Sequence, residues 1–547
     1  MKQLLKKKII LPVLAGVIFL STSAFKNDFF EIAKQIEIFT TLFKELNMNY
    51  VDETNPGDLM DTAIKSMLKD LDPYTNFMNE QDVEAARINN TGDYTGIGAK
   101  VKTLKTLKNK LVIIEPYKDY PADKAGLKAG DEIIKVGNIL VESYKENAGD
   151  LLKGASDSSI EVTYKRQGKT LTSTIKRAEV EIKAVPHFSM ISDKTGYIVL
   201  SAFSRKASAE TNYALRDLKA QGAERIILDL RGNPGGLVNE AINIVNLFVP
   251  KGQLVVTTKS KVEKYNKTYY TQNEPIDKEI PLVILIDNNS ASASEIVSGS
   301  LQDLDRAVIV GSRSFGKGLV QRPKILTYGT QVKITISRYY TPSGRCIQAL
   351  DYWHRNEKGE AVRVKQENYN VFKTKNGRKV FDGGGVYPDV LVGSQKTSPI
   401  TNAIINNDFI FNYATSYYYN HSIDDINSLK LTDSDFKDFK DYLKTNDFSF
   451  ETDTEKALYK AFETAEKEEL NDNIKTDFNT LISNLNKSKT TVVDENKDYL
   501  LKLLTEEIVK QYAYREGLYE YYKIHNSEIK KATEILKNPS VYLGYLK

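Results

Sequence analysis

The stretch "SFGKGLVQ" (Ser314–Gln321) places Lys317 between two glycines, with Phe315 and Leu319 beside it and Gln321 four positions on. With Gly311 upstream the spacing is G-x-x-x-x-G-K, that of a phosphate-binding loop. Such a loop needs a Ser or Thr directly after the lysine for magnesium, and must open a helix whose N-terminus faces the phosphates. Here Gly318 follows the lysine, and "LVQRPKILTYGTQVKITISRYY" alternates like strands. Another task for a lysine is proton transfer. A free amine has a pKa near 10.4, so holding it neutral near pH 7 takes roughly 4 kcal/mol of environment. Apolar and glycine neighbours, with no acid inside the stretch, fit that task, and Gln321 could orient the amine or a substrate without adding charge.

A base needs a nucleophile. In "IDNNSASASEIVSGSLQD" (Ile286–Asp303) a buried strand is expected to end at Asp287 and a helix to start near Ser292–Ser294, with Glu295 in its first turn. A serine at a helix N-terminus gains from free N–H groups and the helix dipole. Serine is also an ordinary N-cap there, so both roles stand. The histidines His187, His354, His421 and His525 lie outside every glycine-rich turn, which leaves a Ser-His-Asp site with little support. A third stretch, "IILDLRGNPGGLVNEA" (Ile226–Ala241), runs from a strand through a glycine-rich turn into a helix. Convergent N–H groups in such a turn suit an oxyanion hole, worth about 3–4 kcal/mol per donor. A plain strand-to-helix turn reads the same way.

These stretches, with "YYTPSGRCIQ" and "GGGVYPDV" downstream, resemble in order and spacing the carboxyl-terminal processing proteases, serine endopeptidases with a Ser-Lys dyad; the resemblance runs from about Phe29 to Val392. It implies Ser292 as nucleophile, Lys317 as general base, Gln321 as its support, oxyanion N–H groups from Gly232 and Ala293, and Asp303 as an acidic residue near the site. No metal or cofactor is implied. The implied fold is multidomain α/β: a ClpP/crotonase-like ββα core carrying an inserted PDZ β-domain. In that domain "YTGIG" (Tyr94, Thr95, Gly96, Ile97, Gly98) would be the loop that captures a peptide's C-terminal carboxylate, with the tail adding as a strand. Substrates would be proteins with non-polar C-terminal tails. Lys153 stands in "LLKG" where the family often has an arginine linked to switching. Two rival classes are a catalytically silent PDZ scaffold and a crotonase-type acyl-CoA enzyme.

The elements that must position these residues divide the chain. Residues 1–24 have the basic start, apolar run and small residues of a secretory signal peptide, so export to the periplasm is expected, with membrane association left open. No cysteine follows, which speaks against a lipid anchor. Residues 25–90 read as helices, with Phe29, Ile32, Ile36, Phe39, Phe43 and Leu46 in one apolar stripe. Residues 91–178 are β-rich. Residues 179–397 alternate strands and helices, as a layered α/β core does, with a polar insertion at about 351–382. Residues 398–547 have helical periodicity and could cap the site, aid a homodimer or bind an adaptor. A net charge of +4 over 547 residues gives no reason to expect nucleic acid as partner, and the single cysteine, Cys346, excludes an internal disulfide.

Overall fold

The computed structural model describes residues 29–547 apart from 105–106, 108, 145–146, 193, 357–360, 394–397, 447 and 470–471. The expected signal peptide, residues 1–24, lies outside the described residues. Among the described residues no helix is long and apolar enough to cross a membrane.

The chain forms two compact units. The first holds residues up to Asn79 together with Pro323–Ile334. Residues 29–49 are helical, and Phe29, Ile32, Ile36 and Phe39 of the apolar stripe are exposed. The next helix, Pro56–Lys69, starts where "ETNPGD" breaks the pattern: Asn55 caps it and Pro56 needs no N–H acceptor in the first turn. Strand Asn76–Met78 then pairs antiparallel with Gln331–Lys333.

The second unit contains the rest. Its centre is a six-stranded sheet whose strands follow chain order: His187–Ser192, Thr195–Val199, Arg225–Asp229, Leu282–Ile286, Val308–Gly311 and Val390–Leu391. The first pair is antiparallel and the others are parallel. Strand Leu282–Ile286 is buried at all five residues, because a parallel sheet is covered on both faces. Successive side chains point to opposite faces. Ile226, Leu228, Ile284 and Ile286 meet helices Ala207–Ala220, Val238–Asn246 and Ala293–Asp303. Ile227, Val283, Leu285 and Val310 meet Ile529, Ile535, Leu536 and Tyr542 from the C-terminal helices. The C-terminal region therefore supplies one layer of the α/β core.

The β-rich module is an antiparallel sheet ordered Ala99–Leu104, Lys110–Pro116, Glu132–Val136, Ser159–Arg166 and Lys169–Lys176, packed around Ile97, Ile113, Leu127 and Val162. Strands Asp93–Gly96 and Ala178–Glu181 pair with each other, so the chain enters and leaves the module side by side, as an inserted domain must. The insertion at about 351–382 forms two small hairpins, Leu350–Arg355 with Ala361–Arg363 and Val371–Lys373 with Lys379–Phe381. Beyond residue 398 the chain is helical, ending in Lys497–His525, Ser527–Lys537 and Pro539–Tyr545 around a core that includes Ile404, Phe439, Leu504 and Ile508.

Candidate active site

The buried strand Leu282–Ile286 runs into a tight loop organised by Asp287, whose Oδ1 accepts from the N–H groups of Asn289 and Ser290, both at 3.0 Å. Two residues later the chain makes an abrupt turn at Ser292, with φ 55° and ψ −109°. Few residues with a β-carbon sit there, and such strain persists only where the surroundings enforce it. Helix Ala293–Asp303 begins at the next residue and is buried along its whole length. Ala293 is its first residue, so its N–H has no acceptor within the helix. The serine thus sits, half-buried, at an electropositive helix end.

Glu295 makes this turn and the Lys317 loop one structure. It is fully buried. Its Oε2 accepts from the N–H of Ser292 at 2.8 Å and of Lys317 at 2.9 Å. Its Oε1 accepts from the N–H of Gly316 at 2.7 Å and from Ser314 Oγ at 2.5 Å. Burial pushes the Glu295 carboxyl above its ordinary range, against the pull of these four donors on the ionised form. Lys317 itself is half-buried. The stretch itself holds no acid, yet one lies beside it: this carboxylate comes from another segment and holds the Lys317 backbone. The glycines beside Lys317 serve packing. Gly316, at φ +90°, leaves a hypothetical β-carbon 2.4 Å from Ala349 Cβ, and one on Gly318 would lie 2.8 Å from the Gln348 backbone nitrogen.

The glycine-rich turn is tied to the serine turn through Asn233. The carbonyl of Asn233 accepts from Ala291 N at 3.0 Å and from Ser294 Oγ at 2.9 Å, and its side chain accepts from Gly235 N at 2.9 Å. At Gly235, with φ +99°, a β-carbon would stand 2.7 Å from Ala291 O, 2.9 Å from Ala293 N and 2.9 Å from Ser292 Cβ. Only glycine lets the two turns approach so closely. Gly232, expected as an oxyanion donor, has a protein acceptor in this structure. Its N–H donates to Asp287 Oδ1 at 2.9 Å, because the same carboxylate that shapes the serine loop reaches across to it.

Other expected residues fall in different places. Gln321 lies on strand Leu319–Ile325, where its amide donates to Thr335 Oγ1 at 3.2 Å and lines a cleft of about 590 Å³ with Leu237, Val238, Tyr269 and Val320. Asp303 is not beside the serine. It ends the helix that Ser292 precedes, about 15 Å away at 1.5 Å per residue, and pairs with the fully buried Arg345 at 2.8 Å. Of "YTGIG", Tyr94, Thr95 and Gly96 form a strand paired with Ala178–Glu181, not a free loop, because they close the neck of the inserted domain. Ile97 is buried in that domain's core, and Gly98, at φ +72°, turns into Ala99–Leu104, the edge strand of the sheet. Lys153 pairs with Asp150 at 2.7 Å. A guanidinium does hold that turn, but from Arg177, which donates to the carbonyls of Leu151 and Leu152 at 3.0 and 3.3 Å. The histidines lie elsewhere: His354 contacts Asp351, His421 the Tyr417 carbonyl, His525 the Asn427 carbonyl, and His187 lies 3.6 Å from Glu520.

Comparison with known proteins agrees with this architecture. Residues 194–352 match the model of peptidase family S41, residues 95–176 that of the PDZ domain, and residues 400–536 that of the probable PDZ-protease C-terminal helical domain. A carboxy-terminal-processing protease of Bartonella bacilliformis is 33% identical over 344 residues, covering 61% of this chain and 78% of that protein. The carboxy-terminal processing protease CtpA of Bacillus subtilis is 29% identical over 380 residues, covering 67% and 78%. A solved photosystem II D1 C-terminal processing protease is 27% identical, with a TM-score of 0.37, and covers 64% of this chain and 86% of its own. From its strained serine turn to its inserted PDZ domain, the chain belongs to the carboxy-terminal-processing proteases of peptidase family S41 and is a serine-type protease of protein substrates.

Proposed function

We propose that the chain is an exported endopeptidase that hydrolyses peptide bonds with a Ser292–Lys317 dyad and selects substrates by their C-terminal tails. The observation that carries this reading is the shared acceptor: Glu295 Oε2 holds the Ser292 and Lys317 backbones together. Neutral Lys317 takes the Ser292 proton as the hydroxyl attacks the scissile carbonyl, then returns it to the leaving amine, and water releases the acyl group. The oxyanion forms at the helix end, where Ala293 N–H is available. Gly232 joins it once the substrate carbonyl replaces Asp287 as its acceptor. Gln321 and the apolar cleft beside it would orient the chain to be cut.

Tail selection rests on the PDZ domain. Among the described residues strand Ala99–Leu104 is an edge of its sheet, and a non-polar tail would add along it with its carboxylate at the Ile97–Gly98 turn. Periplasmic location rests on the N-terminal sequence pattern.

The decisive experiment compares wild type with Ser292→Ala and Lys317→Ala on a protein bearing a non-polar tail. Both variants should fold and cleave nothing; normal turnover by either sinks the dyad. Removing the substrate's last few residues should raise KM at least tenfold, and an unchanged KM would sink tail selection. Cell fractionation checks export: the protein should appear in the periplasmic fraction, shorter by the leader.

A further inference from the structure

Helix Lys497–His525 is interrupted at Tyr514, where φ is 58° and ψ −170°, a combination that residues other than glycine rarely adopt. The interruption turns two side chains onto the PDZ domain. Tyr514 OH donates to Asp123 Oδ1 at 2.6 Å, and Arg515 makes a two-pronged ion pair with Glu115 at 2.9 and 2.5 Å. Lys102 of the edge strand also reaches Asp408 of the helical region at 2.6 Å. The joint is not packed solid. It encloses a cavity of about 90 Å³ lined by Lys100, Glu115, Lys128, Glu507, Lys510 and Arg515 among others, so its charges have room to rearrange.

The other end of the same helical run grips the catalytic turn. Residues 515–525 are continuous helix, a rod of about 16 Å. It leads directly into Asn526, which caps helix Ser527–Lys537. Asn526 Oδ1 accepts from Arg231 Nη1 at 3.0 Å, Glu528 lies 3.6 Å from the same nitrogen, and the Arg231 guanidinium sits 5.6 Å from the centre of the Tyr522 ring. Arg231 is the residue before Gly232, whose N–H is turned to Asp287. A tilt of the rod at the PDZ end must therefore be absorbed at, or passed to, the turn that holds the oxyanion donor.

We propose that the C-terminal helical region couples the PDZ domain to the oxyanion turn, with Tyr514 and Arg515 as its PDZ end and Asn526 and Glu528 as positioning residues at its protease end. The proposal rests on the proteolytic reading above for its effect on turnover, but not for its structural content. Residues this far apart with no shared partner ordinarily act additively. Coupling through the rod makes them non-additive.

The test is a double-mutant cycle. Tyr514→Phe removes only the hydroxyl bond to Asp123, Arg515→Ala removes the ion pair, and each is made in the wild type and in an Asn526→Ala background. Turnover is read on a short internal peptide with a blocked carboxyl end, which offers the PDZ domain no tail. Amide exchange of the 226–236 segment is read in parallel and does not depend on cleavage. At least one PDZ-end substitution should change kcat by fivefold or more and speed exchange by fivefold or more. In the Asn526→Ala background the same substitution should change both by less than twofold. Equal effects in both backgrounds, or none in either, would overturn the coupling. Absence of Ser292-dependent cleavage would overturn the proteolytic reading alone, since the exchange data would still decide the coupling.

Discussion

Ser292 and Lys317 donate their backbone N–H groups to one oxygen, Oε2 of Glu295, at 2.8 and 2.9 Å. The relative position of the proposed nucleophile and base is thus set by main chain hung on a buried carboxylate. Glu295→Gln keeps the volume but turns an acceptor of four donors into a group that must itself donate. Each donor left unpaired in a buried site costs about 1–3 kcal/mol. Chemical denaturation should show a loss in that range, and kcat on an internal peptide should fall by at least tenfold. Glu295→Asp, which keeps the charge but shortens the reach, should recover part of the stability and little of the turnover.

Gly235→Ala tests the contact between the two turns. The added carbon would press on Ala291 O and Ala293 N, both backbone atoms, at 2.7 and 2.9 Å. The serine turn must shift, and displacement of about 1 Å can cost roughly a hundredfold in rate. Turnover should fall by about that factor while a tail peptide binds the PDZ domain with unchanged affinity by fluorescence anisotropy.

Asp303→Asn should behave as a stability variant. Removing one partner of a buried ion pair typically costs about 3–5 kcal/mol, because the other charge is left without compensation. Thermal unfolding should register that loss, with kcat per folded molecule within about threefold of wild type. A pH–rate profile unchanged in shape would separate this role from proton transfer.

The joint between the PDZ domain and the helical region should loosen in acid. Burial opposes ionisation of Glu115, but the Arg515 hydrogen bond and charge, helped by Lys510 and Lys100, outweigh it and hold the carboxyl below its ordinary value. A carboxyl depressed in the folded state contributes its full stability above the unfolded pKa, near 4.5, and loses it as the pH falls through the folded value. Amide exchange across residues 110–116 should therefore accelerate below about pH 4.5 in the wild type. In Arg515→Ala that acid-induced change should be largely gone.

Much of this was legible in the sequence because local chemistry carried it. "SASASE", "SFGKGLVQ" and "RGNPGG" each announce a turn with special backbone demands, and the apolar runs "LVILI" and "RIILD" announce buried strands. What stayed hidden depends on three-dimensional closure. Glu295 was visible as a first-turn acid, but its reach to Lys317 spans two segments that spacing does not join. The resemblance implied Asp303 near the site, yet the helix that Ser292 precedes puts three turns between them. Tyr94–Gly96 reads as a glycine loop, and only the return of Ala178–Glu181 makes it a strand. The Lys/Glu/Tyr-rich periodicity after residue 398 indicated helices without indicating what their apolar faces would cover.

The layer built by the C-terminal helices has a consequence for biosynthesis. Strand Leu282–Ile286 delivers the chain to the serine turn, and two of its five side chains, Val283 and Leu285, are covered by residues such as Ile535, Tyr542 and Leu546. A nascent chain that has already made Ser292 and Lys317 still lacks one wall of the sheet beneath them. The protease is therefore completed late, by residues made some 250 positions after Ser292. A product cut short by frameshift or premature stop should carry both side chains of the proposed dyad and remain harmless to its neighbours.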